Sequence, residues 1–395
     1  AVWGKGKKRK FLGRDSKGMV RALFMKVLVI GTDTTLFDKN SDTRRRIQDY
    51  ARLFDEYHVL VYTPRGFISE KAGPNLFLYP TNSFWAVLRP FDAARIGLRI
   101  VREHKIDVVS AQDPAESGLA ACIVAKRFGL PLYLQLHSDF LSPYFRRNSW
   151  KEYVRYLIAK FILPRGDKFR AVSKRIAESL HSIFHIPHSK IEVLPIFVDK
   201  EKLANAEPKF DLHKKYPQFD FIILMVSRLV REKNIGLALE SFREFIKEFP
   251  QAGLVIVGDG PELKNLQLTT HNLQLVNNVR FEGWQSDLAP YYKTADLYLL
   301  TSNFEGYGRT VIEAVAAGLP VVMTDVGVAG EIIIDGKTGR VVPPGDKNAV
   351  LTALREAKMH HGDTLSMAKA ARELLKNSPP LTWEDYLKMY KESFS

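Results

Sequence analysis

The chain has 395 residues, 46% of them hydrophobic and 26% charged, which is typical of a globular protein of about two domains. Its formal net charge is +14, and no apolar run approaches the roughly 20 residues of a membrane-spanning helix, which argues against a helical membrane protein. A single cysteine, Cys122, cannot form an internal disulfide and fits a reducing compartment. Since no secretory signal precedes Met25, we expect a cytoplasmic protein.

From Met25 onward, short apolar strands alternate with segments of helical period. In the first half we predict strands over 26–31, 58–63, 107–112, 131–138, 170–173 and 191–195, with helices over 43–55, 116–128 and 174–184. In the second half we predict strands over 221–227, 254–258, 279–283, 297–302 and 320–324, with helices over 235–248 and 309–317. This alternation of solid apolar strands with helices predicts an α/β fold with parallel, doubly wound sheets.

A polar stretch near 196–219 separates the two series. We therefore predict two Rossmann-like domains, residues 25–199 and residues 200–380. Ligands bind such sheets at the carboxyl ends of the strands, so two facing domains would form a binding cleft. The apolar residues of segment 381–395 recur at helical spacing, and this helix either completes the second domain or crosses back to the first.

The positive charge is unevenly distributed along the chain. Residues 1–24 carry a net charge of +7, residues 25–199 carry +8 and residues 200–395 carry −1. This asymmetry predicts an anionic partner for the first half, such as a membrane surface, nucleic acid or an acidic substrate. Residues 1–24 are interpreted as a basic tail or a remnant of expression cloning, and we exclude them from fold prediction.

The most informative segment is TSNFEGYGRTVIEAVAAGLPVVMT, which reads as strand end, glycine loop, helix, glycine and strand. Gly306 and Gly308 flank Tyr307 directly before the helix, whose first amides and dipole favour an anion. Glu305 lies in the loop, and Glu313 lies about two turns into the helix on roughly the same side. Two carboxylates so placed suit sugar-like diols on either side of a phosphate. A solvated pair of carboxylates at an ordinary strand–helix turn is the alternative.

Two further segments point to phosphate. Arg228 and Lys233 follow the strand 221–227 and precede a helix, and two cations in that position suit a diphosphate, although a solvated basic loop has the same pattern. The segment LVIVGDGPE at 254–262 is another strand followed by a glycine turn, and by itself it is a weak signal.

Taken together, these segments resemble the retaining glycosyltransferases of family 4, which have the GT-B fold. The family hallmark of two glutamates separated by seven residues is seen as Glu305-GYGRTVI-Glu313. The segments SRLVREKN, VGDGPE and AAGLPV match in the expected order. The resemblance is specific over about 220–345 and looser before it.

The resemblance implies a donor site for a nucleotide-diphosphate sugar. Arg228 and Lys233 would bind the diphosphate and stabilise the leaving group, and the amide of Thr310 would also contact phosphate. Glu313 would hold the ribose hydroxyls. Arg280 would lie against the base.

The resemblance also implies contacts to the transferred sugar. Glu305, with the amides of Gly306, Tyr307 and Gly308, would hold the donor sugar. The segment QLHSDF resembles the family's histidine at a strand end, so His137 would face the same sugar, whereas a lone histidine after a strand is more often structural.

The loop after the first strand departs from the family pattern. Family members often have paired glycines there, whereas this loop, GTDTTLFDKNSD, has only Gly31, which we assign to the acceptor and phosphate loop. The following helix carries three arginines, Arg44–Arg46. No Asp-x-Asp metal motif occurs, so we expect neither a metal nor a cofactor, with the nucleotide sugar as co-substrate. The resemblance implies retention of anomeric configuration, by front-face attack.

We therefore predict transfer of a hexosyl group to a lipid-linked or saccharide acceptor in cell-surface glycan or glycolipid synthesis. A glycosidase would also use paired carboxylates but needs no cationic cradle. A nucleotide-sugar epimerase of similar fold and a basic module binding membrane or nucleic acid are the alternatives. No nucleic-acid-binding motif is present, and we expect no nucleic acid partner.

The basic stretch 140–175 contains ten Lys and Arg residues and two acidic residues. Pro164 closes a helix within this stretch. The apolar residues that recur at helical spacing in it are Trp150, Tyr153, Val154, Leu157, Ile158, Phe161 and Ile162. This pattern indicates either a core helix with a basic outer face or an interfacial helix at an anionic leaflet. The second interpretation predicts a protein peripheral to the inner face of the cell membrane.

Overall fold

The computed structural model describes residues 25–394 as two α/β domains built on separate sheets. The predicted basic tail at 1–24 lies outside these residues. Within them, no helix is both long and apolar enough to cross a bilayer. The predicted fold class of two facing Rossmann-like domains is confirmed.

The first sheet has the strand order β3-β4-β2-β1-β5-β6-β7-β8, and its pairs are parallel except for β3 with β4. Its strands are β1 (Lys26–Gly31), β2 (Glu56–Val61), β3 (Glu70–Lys71), β4 (Leu76–Pro80), β5 (Val108–Ala111), β6 (Leu132–Leu136), β7 (Lys168–Ala171) and β8 (Ile191–Val193). Its helices are α1 (Asp42–Ala51), α2 (Arg89–His104), α3 (Glu116–Phe128), α4 (Pro143–Asn148), α5 (Trp150–Ile162) and α6 (Lys174–Phe184).

The second sheet has the strand order β11-β10-β9-β12-β13-β14, and its pairs are parallel. Two short helices, α7 (Lys200–Asn205) and α8 (Leu212–Lys215), precede it. Its strands are β9 (Phe221–Val226), β10 (Ala252–Val257), β11 (Val279–Gly283), β12 (Leu297–Leu300), β13 (Val321–Thr324) and β14 (Arg340–Val342). The remaining helices are α9 (Ile235–Phe245), α10 (Leu263–Asn272), α11 (Ala289–Thr294), α12 (Arg309–Ala317), α13 (Lys347–Met359), α14 (His361–Lys376) and α15 (Trp383–Glu392).

Helices cover both faces of the first sheet. Apolar side chains of α2, α3, α5 and α6 form one buried cluster with the sheet, and those of α1 form another on the opposite face. Because parallel strands buried on both faces need apolar residues throughout, β1 reads KVLVIG and is buried from its second residue onward. Each helix follows the carboxyl end of a strand, so the helix amino ends gather at the edge of the sheet that faces the second domain.

The last helix, α15, crosses back and packs on the first domain. Its Tyr386 and Tyr390 are buried in the same cluster as the α1 side chains. The Tyr386 hydroxyl accepts a hydrogen bond of 2.7 Å from the buried guanidinium of Arg170, whose other acceptors are neutral oxygens. Within residues 25–394 no carboxylate pairs with this guanidinium, and the surrounding oxygen dipoles stabilise its charge.

Candidate active site

The amino end of α12 forms the centre of the candidate site. Gly308 caps this helix with a φ of 91°, a left-handed conformation that strains any residue with a Cβ. The amides of Arg309 and Thr310 are the first two of the helix and have no intrahelical acceptor. The Thr310 hydroxyl accepts a 2.6 Å hydrogen bond from Tyr298, which anchors this turn to β12. The turn therefore presents backbone donors to an anion.

Lys233 and Glu305 form an ion pair beside this turn. A short 3-10 turn, Arg231–Lys233, follows β9 and brings the ammonium group to 2.5 Å from the Glu305 carboxylate. The Ser302 hydroxyl donates a 2.7 Å hydrogen bond to the same oxygen. Both charged side chains are largely buried, so the pair fixes the loop before α12. An anionic ligand at this place would meet a preoriented ammonium group.

Glu313 is buried on α12 with both carboxylate oxygens engaged. One accepts a 2.9 Å hydrogen bond from the buried Tyr292 hydroxyl, and the other accepts a 2.8 Å bond from Arg309 Nε. Burial and the adjacent carboxylate raise the pKa of Tyr292 well above its ordinary value, so this phenol stays protonated and donates. Arg309 is largely exposed, so a diol could replace its contact while Tyr292 keeps Glu313 in place.

Arg228 lies in the same loop as Lys233 but makes little contact. Its side chain is exposed, and its guanidinium lies 3.4 Å from Glu232. An i,i+4 ion pair of this length contributes little to stability, which leaves Arg228 available to an incoming anion.

His137 faces Gly306 across the cleft. A Cβ at position 306 would lie 2.0 Å from the His137 carbonyl oxygen, so the two domains touch here and only glycine fits. Tyr307 packs against the buried clusters of both domains. Burial, with the positive charges of Arg170 and Arg46, lowers the pKa of His137 to about 3. The imidazole is therefore neutral at physiological pH.

A cavity of about 580 Å³ beside His137 is lined mainly by the first domain and α15, and also by Arg309 of the second domain. Gly31, at the end of β1, lines it, and the Gln112 side chain occupies the space that a Cβ at Gly31 would need. Arg46 also lines this cavity, and among residues 25–394 no carboxylate forms an ion pair with it. The predicted acceptor loop and the predicted sugar-facing histidine thus share one cavity.

The predicted position of Arg280, against the base of the donor, is wrong. Its guanidinium donates to the carbonyls of Val276 and Val279, at 2.8 Å and 2.9 Å, and lies over the rings of Tyr216 and Phe219. Val276 precedes β11, and Tyr216 and Phe219 precede β9, so Arg280 lies at the amino edge of the sheet. The other second-domain candidates lie at the carboxyl edge, because that is where the loops before α9 and α12 begin.

Sequence reasoning missed two residues of the site, Arg309 and Tyr292. The spacing of four between Arg309 and Glu313 on one helix is a pattern that predicts an ion pair and could have revealed it. Tyr292 comes from α11, and no sequence pattern links it to Glu313.

Comparison with known proteins covers both halves of the chain. Residues 46–202 match the family described as Glycosyltransferase Family 4, and residues 209–374 match the family described as Glycosyl transferases group 1. The chain is 25% identical to N-acetyl-alpha-D-glucosaminyl L-malate synthase of Bacillus anthracis, over 77% of this chain and 80% of that protein. It is 26% identical to alpha-monoglucosyldiacylglycerol synthase of Streptococcus pneumoniae, over 64% of each.

Solved structures share the fold. HepE of Anabaena, in complex with UDP-glucose, superposes with a TM-score of 0.70 at 20% identity, over 93% of this chain and 98% of that one. The sucrose-phosphate synthase of Thermosynechococcus elongatus superposes with a TM-score of 0.72 at 19% identity, over 93% and 99%.

Proposed function

The chain belongs to the group 1, or family 4, glycosyltransferases, and we propose that it transfers a hexosyl group from a nucleotide-diphosphate sugar with retention of configuration. The observation that carries this proposal is the Lys233–Glu305 pair at the amino end of α12, opposite His137 across the cleft. A cation, helix-start amides and a buried carboxylate in one place suit a diphosphate joined to a sugar.

The proposed reaction breaks the bond between the sugar and the diphosphate. Negative charge then grows on the leaving phosphate, where Lys233, Arg228 and the α12 amides would stabilise it. Glu305 would hold the sugar hydroxyls, and Glu313 the ribose. In the front-face mechanism, the acceptor hydroxyl attacks from the side of the leaving group and gives its proton to the departing phosphate. These residues supply the electrostatic stabilisation in a mechanism that we propose to be independent of a metal.

His137 is suited to contact the transferred sugar as a neutral group. Since its pKa is lowered to about 3, its ring can donate or accept a hydrogen bond without adding positive charge beside a developing oxocarbenium ion. A protonated imidazole in that position would oppose the reaction electrostatically.

We propose a lipid-linked or saccharide acceptor in the synthesis of cell-surface glycans or glycolipids. The cavity beside His137 is lined mainly by the first domain, where Arg46 offers a cation to an acidic acceptor group. The name of one relative, alpha-monoglucosyldiacylglycerol synthase, specifies a lipid product. On this proposal the protein works at the cytoplasmic face of the membrane.

Donor binding provides the first test. Thermal unfolding of the wild type would be followed with UDP-, GDP- and ADP-sugars, and a donor at 100 times its Kd should stabilise the fold by about 2.7 kcal/mol. The same panel would be run on Glu313→Gln, which keeps the size of the side chain but loses its charge, and on Glu240→Gln, an exposed control on α9. The proposal is supported if a nucleotide sugar stabilises the wild type and Glu240→Gln but not Glu313→Gln. If no nucleotide sugar stabilises the folded wild type, the donor site is wrong.

A further inference from the structure

Helix α5 exposes the apolar stripe that its sequence could equally have buried. Trp150, Tyr153, Val154, Leu157 and Phe161 follow one face of the helix, and Trp150 and Phe161 are 74% and 55% exposed. The opposite face of α5 supplies Ala159 and Ile162 to the core of the first domain. We call these five exposed residues the α5 stripe.

A second exposed apolar segment leads into the first turn of α2. Phe84, Trp85, Val87, Leu88 and Phe91 are exposed within eight residues, Trp85 by 62% and Phe91 by 59%. Helices α2 and α5 both pack against α3, on the same face of the first sheet. The 84–91 segment and the first turn of α5 both lie at the amino ends of their helices. They therefore occupy the same edge of this helical layer, the edge beside the cleft.

Cations accompany both apolar groups. Lys151, Lys160 and Arg165 are exposed along or just after α5, and the Arg165 guanidinium lies 3.6 Å from the centre of the Phe161 ring. Arg65 lies in the same way over Phe84, at 4.6 Å. Side chains of this kind lay their apolar stems along apolar surface and keep the charge at its rim.

This composition favours a lipid surface over a protein partner. Protein interfaces are depleted in lysine, whereas helices that lie in a membrane interface combine Trp, Phe and Leu with Lys and Arg. The cations are complementary to anionic headgroups. Exposed aromatic and aliphatic side chains in such numbers are also unusual for a monomeric surface without a partner.

We propose that the α5 stripe and the 84–91 segment form one surface that docks on a bilayer containing anionic lipids. This surface adjoins the cleft through Arg155, which lies on α5, lines the cavity beside His137 and pairs with Glu116 at the start of α3. A docked molecule would therefore present its acceptor cavity to the lipid. That consequence rests on the proposed transferase function, whereas docking itself does not.

Vesicle flotation of the full chain tests the docking surface. We expect binding to vesicles of phosphatidylcholine and phosphatidylglycerol in equal parts, weakening as salt is added, and much less binding to phosphatidylcholine alone. The Trp150→Ser/Phe161→Ser double variant should bind at least tenfold more weakly. Lys151→Glu/Lys160→Glu should lose about fivefold or more for each charge reversed. Leu268→Ser, an equally exposed position on α10, is the control and should bind like the wild type.

The comparison among variants isolates the surface, because residues 1–24 carry the same positive charge in all of them. Equal binding by the wild type and both α5 variants, or no binding to anionic vesicles at low salt, overturns the proposal. A dimer in light scattering that the α5 variants dissociate would also overturn it, by assigning the stripe to a second copy of the chain. Donor binding measured without vesicles is a separate result, so its failure would refute the proposed function and leave docking standing.

Discussion

Replacing Gly306 with alanine should prevent the two domains from meeting in the cleft. The added Cβ would lie 2.0 Å from the His137 carbonyl oxygen, 2.7 Å from its carbon and 3.1 Å from Ser138 Cα. A carbon and an oxygen approach no closer than about 3.3 Å, so the contact must open by more than about 1 Å. All three atoms are backbone, and no side-chain rotation can relieve the overlap.

A displacement of about 1 Å between reacting groups can cost about 100-fold in rate, which corresponds to about 2.7 kcal/mol of transition-state stabilisation. We therefore expect kcat/KM for sugar transfer to fall about 100-fold in Gly306→Ala. The affinity for a free nucleoside diphosphate, measured by calorimetry, should change little, because its proposed ligands lie on the second domain. Since the φ of Gly306 is not positive, alanine adds no strain to the local backbone, and a fall in the thermal midpoint would report the opened contact with His137.

Gly362→Ala is the matched control and should leave activity unchanged. Gly362 lies in the first turn of α14, and apart from its chain neighbours and its own helix backbone no heavy atom of residues 25–394 lies within 4 Å of the point that an added Cβ would occupy. The reasoning would be refuted if Gly306→Ala kept activity within threefold of the wild type. A crystal structure of the variant with the His137 contact intact would refute it equally.

Three further predictions concern individual contacts. Lys233→Ala removes both the partner of the largely buried Glu305 and a proposed phosphate ligand, so kcat/KM should fall at least 100-fold and the thermal midpoint should drop. Steady-state kinetics and calorimetry measure these effects, and near-normal activity would contradict the proposed role. Tyr386→Phe removes the hydroxyl that accepts a hydrogen bond from the buried Arg170 guanidinium, so the free energy of unfolding in urea should fall by about 1.5–3 kcal/mol. A fall below about 0.5 kcal/mol would mean that other groups solvate the charge. The folded-state pKa of His137 is about 3, below its unfolded value, so its contribution to stability is complete above about pH 6.5 and is lost as the pH falls towards 3. In an NMR experiment its ring resonances should therefore not titrate between pH 8 and 5.

The sequence was most informative where neighbouring residues along the chain determine where a side chain lies on the sheet. The strand–loop–helix around Glu305 and Glu313 could be predicted because a glycine turn after a buried strand places a helix start at the carboxyl edge of the sheet. Helices α3, α6 and α12 have the bounds expected from their apolar period. By contrast, Arg280 was placed by resemblance alone. As the second residue of its strand, it belongs to the amino edge.

Other features depend on contacts between distant parts of the chain. The period of α5 predicts an amphipathic helix, yet the same period describes a face that meets protein and a face that meets lipid. Likewise, the spacing of Trp383, Tyr386 and Tyr390 predicts a helix but not the domain that it covers. Arg170 and Tyr386 are 216 residues apart in sequence, and their hydrogen bond has no local signature.

The return of α15 to the first domain has a consequence for synthesis of the chain. The core around α1 is completed by Tyr386, Tyr390 and Phe394, which leave the ribosome only after the whole second domain. At roughly 5–20 residues per second, about 180 intervening residues take about 10–40 s. The first domain to emerge is thus the last to finish folding, and the contiguous second domain can be complete before it. In a cell, the early half would expose the α1 side of its sheet throughout that interval, which makes it a natural client for chaperones.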